Sequence, residues 1–213
     1  LMGTIKQGIL GGFSGKVGTV IGSSWKGISY MRGRAQSVKN PRTEGQMGQR
    51  SKFALTLDFL KPITAYIRIG YKTYANKQTA FNAAMSYIVK NAIEGTAPDY
   101  VLDFSNVLVS RGSLSQPSAP NVNMDSGKAT ISWTDNSGQG DAQPTDVAMP
   151  LAYNPDKGEA VFNTSAATRA DQSAELNFPA DWNGDTVELY IGFVSADGIN
   201  VANSIYLGSQ TII

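Results

Sequence analysis

Cysteine and histidine are both absent from the 213 residues. Without cysteine there is no disulfide framework and no thiolate nucleophile, and without either residue no structural zinc site of the usual Cys/His kind. The commonest general base, and the side chain that titrates nearest neutral pH, is missing too. Long apolar runs are also lacking, since no stretch approaches the roughly 20 residues that a helix needs to cross a bilayer. The N-terminal run LMGTIKQGILGGFSGKVGTVIG carries an early Lys6, but glycines and Lys16 interrupt what would be the apolar core of a signal peptide. It is therefore read as mature structure. A lack of cysteine suits a cytoplasmic protein and an exported or released assembly equally, so it leaves the compartment open.

Acidic residues are scarce in the first half and basic ones in the second. Residues 1–95 hold fourteen Lys and Arg against Glu44, Asp58 and Glu94, a net of +11. Residues 96–213 hold Arg111, Lys128, Lys157 and Arg169 against fourteen acidic residues, a net of −10. The overall +1 thus conceals a two-pole molecule, which bears on partners and association more than on fold.

Glycine is abundant at 22 residues, and much of it punctuates residues 8–34, GILGGFSGKVGTVIGSSWKGISYMRGR. Beta-branched residues broken by Gly-Ser predict a strand pair with tight turns. So much glycine costs backbone entropy unless something packs close to the chain, which suggests a ribbon covered by another element or subunit. Asn40-Pro41 marks a boundary, and Thr43 to Gln46 has the form of a capping box. Phe53, Leu57 and Leu60 follow at helical spacing up to Pro62. A second helix is expected around Ile63, Ile67 and Tyr71, and a third over about 77–92, where Phe81, Ala84, Met85, Ile88 and Ala92 form one stripe.

From about residue 100 the texture changes to short strands, expected at 100–111, 120–124, 128–134, 145–153, 158–163, 173–178, 185–195 and 201–212, with 112–120 as a linker. The predicted fold class is α+β. A basic N-terminal β-ribbon with about three helices (1–98) precedes an acidic antiparallel β-sandwich of immunoglobulin or fibronectin III texture (99–213).

Motifs that carry chemistry are weak. Gly11 to Val17 suggests a phosphate loop, but Leu10 stands where its first glycine belongs and Val17 where its Ser/Thr belongs, so a nucleotide site is rejected. The loop Asp135 to Asp141, with Asp146, offers oxygen ligands of the kind calcium takes, without EF-hand spacing. Glu159 and Glu175 are an acidic pair of the type that glycoside hydrolysis uses, at a separation the sequence does not reveal. Basic residues interleave with Trp25, Tyr30, Tyr66, Tyr71 and Tyr74, the combination that nucleic-acid binding draws on.

The opening GTIKQGILGGFSGKVGTVIGSSWKGISYMR resembles that of an uncharacterised protein family common in Bacteroidetes. The resemblance continues through NPRTEGQMGQRSKF, TAFNAAMSYIVKNAI and DYVLDFSNVLVSRG, then WTDNSGQGDAQPTD, YNP and FVSADG, over nearly the whole chain. The family carries no assigned function, so no catalytic or binding residues are implied. The pattern from Asn40 to Phe53 also resembles stretches of phage-associated proteins.

These readings converge on a non-enzymatic structural subunit without cofactor, metal or small-molecule substrate. It is expected to assemble head-to-tail into a filament or ring, or to decorate a phage-like or cell-surface particle; with equal weight, the oppositely charged halves neutralise each other within one chain. Its partners are copies of itself or other subunits of that particle. The candidate assembly or binding residues are Lys16, Trp25, Lys26, Tyr30, Arg32, Arg34, Arg42 and Arg50. Nucleic-acid binding through residues 1–95 is the alternative. The third reading is a carbohydrate- or protein-binding module using Trp133, Trp182 or Tyr153.

Overall fold

The computed structural model describes the chain except residues 1, 2, 6, 7, 9, 10, 26, 38–42 and 77. The chain divides into two compact units, residues 1–42 and 43–213.

The first unit is a four-stranded antiparallel sheet with strands in chain order: β1 (Thr4–Ile5), β2 (Phe13–Val17), β3 (Val20–Trp25) and β4 (Ile28–Gly33). The expected strand pair is therefore the centre of a larger ribbon. Its hairpin turns place Gly18 at φ +57 and Gly27 at φ +83, a region that side chains with a Cβ avoid. Glycine also serves packing here. Gly22 lies under Phe13, whose ring and carbonyl occupy the space a Cβ would need.

The second unit begins with α1 (Glu44–Leu60), α2 (Thr64–Gly70) and α3 (Ala80–Asn91), the three α-helices among the described residues. Thr43 stands at the N-cap of α1 as its sequence suggests, but its side chain makes no capping hydrogen bond, so the expected box is not formed. Thr79 does cap α3, accepting from the Asn82 N–H at 3.1 Å. A hairpin of β5 (Ile93–Thr96) and β6 (Asp99–Leu102) follows.

The remaining strands are β7 (Ser118–Asp125), β8 (Lys128–Thr134), β9 (Val147–Asn154), β10 (Glu159–Phe162), β11 (Ala167–Thr168), β12 (Ser173–Asn177), β13 (Thr186–Val194) and β14 (Ile205–Thr211). One sheet runs β12-β8-β7. The other runs β10-β9-β13-β14, with β11 also pairing β9. The architecture is α+β with antiparallel sheets, none of them closed.

Strands β9 and β13 are buried almost throughout, because both of their faces are covered. Alternation sends Val187, Leu189, Ile191 and Phe193 to one side, where they meet Ala129, Ile131, Trp133 and Leu176 of the three-stranded sheet. Tyr190 and Val194 point the other way. With Met149, Leu151 and Tyr153 they meet Phe59, Ile63, Tyr66, Ile67 and Ile88 of the helices.

The boundary expected at 98/99 thus lies inside the second unit, whose helices and strands share one apolar cluster. Buried hydroxyls lock that layer. Tyr66 donates to the Met149 carbonyl at 2.9 Å, and Tyr190 to that of Phe104 at 2.8 Å.

Two segments depart from their expected form. Residues 103–111 do not continue the strand. Asp103 caps a short 3-10 turn, and the N–H groups of Val109 and Arg111 go to Ser204 Oγ and the Gly70 carbonyl. Nor is 112–120 a free linker. Leu114 is buried and bridges Ala202, and the carbonyls of Ser115 and Gln116 are held by the buried Arg169 guanidinium.

Candidate assembly surface

Strand register decides which candidate residues meet. Lys16 opposes Ile21, and Ile21 opposes Arg32; Ser23 opposes Tyr30, and Trp25 opposes Ile28. Cross-strand partners share a face, and alternate residues along a strand share it too. Lys16, Trp25, Tyr30 and Arg32 therefore lie on one face of the ribbon. Arg34, just past β4, prolongs the ladder by donating its N–H to the Thr19 carbonyl at 2.7 Å. Arg50 stands apart, exposed on α1 in the second unit. Lys26 and Arg42 lie outside the described residues.

Both ribbon faces expose apolar side chains. Trp25 is 64% exposed, Ile28 67% and Met31 71%, with Ile5, Val17, Val20 and Tyr30 also on the surface. Among the described residues of this unit only Gly22 is buried. Residues 1–42 carry seven Lys and Arg and no acidic residue. Residues 43–213 carry eleven basic and seventeen acidic ones, so the units have net charges of +7 and −6. The net charges are smaller than for a division at residue 95, but the first unit has no acidic side chain, because the first in the chain is Glu44.

The second unit has an open groove of about 560 Å3 between α1, β6 and the turn joining β9 to β10. Its floor is an aromatic cluster in which Phe59 meets Tyr153 edge-on at 4.7 Å and Phe104 lies 5.9 Å from Tyr153. Val101 of β6, 59% exposed, forms a wall. Asp58 and Asp156 also line it. Burial, and then the charge of Asp58, push the Tyr153 phenol up. The Ser105 hydroxyl holds the nearby Asp103 carboxyl below its usual range. Lysines are present but engaged. Lys61 pairs with Asp58 at 2.9 Å, and Lys157 with Asp181 at 2.8 Å and Asp185 at 3.3 Å.

The other sequence candidates have structural partners. Asp146 is buried against Arg169, whose Nη2 lies 3.0 Å from Oδ2. Asp135 and Asp141 accept from Ser137 and Ser115. Among the described residues no three acidic, His or Cys side chains group to hold a metal. Glu159 accepts from Trp182 Nε1, and Glu175 pairs with Lys128 on the neighbouring strand. Trp133 and Trp182 are buried, and Tyr153, also buried, belongs to the floor of the groove. Among the described residues no helix is long and apolar enough to cross a membrane.

A family model described as "Family of unknown function (DUF6266)" matches residues 12–208. The chain belongs to this family. The match spans the ribbon from Gly12 and ends within β14, so both units fall inside it. No curated protein and no solved structure matches the chain.

Proposed function

We propose that this DUF6266 protein is a non-enzymatic structural subunit whose ribbon is its assembling element. The observation that carries the reading is the ribbon's lack of a core: among its described residues no apolar side chain is buried. A unit of this size buries too little surface to be stable unaided, and an exposed apolar sheet of this kind marks an interaction site. A contact between a basic and an acidic unit is heterologous, so it propagates head-to-tail into a ring or filament, or seats the subunit on a particle. The likeness of residues 40–53 to phage-associated sequences favours the particle. In this reading the two packed sheets of the second unit are an immunoglobulin-like sandwich that presents the ribbon.

Light scattering over protein and salt concentration tests it. The expected outcome is a concentration-dependent rise in mass, weakened but not abolished by salt, because apolar burial persists when charges are screened. A monomer at every concentration and salt level would sink the proposal.

One arrangement favours nucleic acid instead, namely Lys16 and Arg32 flanking Trp25 and Tyr30 on a single face. Cations with flat rings suit a single strand. Against it, the opposite face exposes Val17, Val20 and Met31, aliphatic groups that nucleic acid would leave uncovered. Binding of a single-stranded oligonucleotide that falls steeply with salt would support this reading.

A further inference from the structure

We infer that the groove between α1, β6 and the β9–β10 turn receives the ribbon of a second copy of this chain. The inference rests on the assembly reading and names its acceptor.

Charge excludes the simplest alternative. Pairing two ribbons would set seven cations against seven with no carboxylate on either side. The complementary charge lies on the second unit: Asp58 and Asp156 line this groove, and Asp99 and Asp103 adjoin its lining residues Tyr100, Leu102 and Phe104 in the chain. Three lysines stand there, Lys52 over the Tyr100 ring, Lys61 paired with Asp58 and Lys157 paired with Asp181 and Asp185; six carboxylates against three cations keep the sign negative.

Shape and chemistry agree with charge. β4 places Ile28, Tyr30 and Arg32 on one face in succession. The groove pairs an apolar aromatic floor with an acidic rim, so an apolar side chain can enter while the guanidinium stays beside carboxylates. Among the described residues β6 pairs only with β5, so its other edge has no strand partner.

The cysteine-free chain permits a direct test in the full-length protein. Ile28→Cys marks the docking face of the ribbon, Val101→Cys the groove wall, and Ile199→Cys an equally exposed control between β13 and β14. Equal mixtures of two single-cysteine proteins are joined with a short thiol cross-linker after nuclease treatment. The expected result is that I28C with V101C yields at least fivefold more mixed dimer than I28C with I199C. Asp58→Lys with Asp156→Lys should reduce that yield at least fivefold.

Equal yields from the two mixtures, in a protein that still assembles, overturn the groove and leave the assembly reading standing. A dominant I28C homodimer overturns it in favour of ribbon on ribbon. Loss of the cross-link after nuclease treatment overturns it in favour of a nucleic-acid bridge. Cross-linking within one I28C/V101C chain in place of mixed dimer overturns it, since the ribbon then docks on its own copy. A wild-type monomer under all conditions removes the assembly reading and this inference together.

Discussion

Arg169 is the residue on which most depends. It is fully buried and touches four partners: Asp146, Asn136 Oδ1 at 2.7 Å, and the carbonyls of Ser115 and Gln116. Its guanidinium also lies 4.5 Å from the Phe193 ring centre, and its own carbonyl accepts from Trp133 Nε1. Such a pair adds little net stability over an apolar replacement, but losing one partner strands a buried charge. Arg169→Met is expected to cost about 3–5 kcal/mol in denaturant unfolding. Adding Asp146→Leu should recover part of that loss, since Asn136 and the two carbonyls remain unpaired. Nothing in the sequence separates Arg169 from the surface cations, because its partners lie 23–54 residues away in the chain.

Among the elements, local pattern and tertiary contact divided the work. The strands over 128–134 and 185–195 were legible because alternation or a continuous apolar run is itself the signal of one or two covered faces. Residues 103–111 look equally strand-like, yet their N–H groups find a side chain and a helix end, partners that no local window contains. Gly70 shows the same conflict. Alanine is the better helix former by about 1 kcal/mol. A Cβ there would lie 2.6 Å from the Val109 carbonyl, however, and 2.9 Å from Ser110 Cβ. Gly70→Ala is expected to destabilise by about 1–3 kcal/mol, as overpacking does, and a thermal melt decides the sign.

For the molecule as a whole, charge governs response to pH as well as association. Asp103, Asp135, Asp141, Asp171 and Asp197 are each held below the ordinary 3.8, chiefly by a neighbouring Ser or Thr hydroxyl. Their folded forms resist protonation more than the unfolded chain does. The stability they contribute is complete above about pH 4 and lost as pH falls through their folded values. Burial raises the phenols of Tyr66, Tyr71, Tyr190 and Tyr206 above the ordinary 10.0. Their contribution is complete below that value and lost as pH rises past it, where the unfolded chain ionises first. With no histidine or cysteine between the two limbs, the unfolding midpoint is expected to stay flat from about pH 5 to 9. A pronounced step near pH 6.5 would contradict this account.

The sequence by itself determined the chemical inventory, the polarity of charge, the helices and most of the strands. These follow from composition and from periodicities of two and 3.6 residues, which are local. It also singled out residues 8–34 as a glycine-rich ribbon wanting cover. Only the tertiary structure decided that Lys16, Trp25, Tyr30 and Arg32 share one face, because that depends on the register of three strands. Only it set the division into compact units at residue 42, since the helices bury their apolar stripes on the sheet behind them and the ribbon, among its described residues, buries none of its apolar side chains.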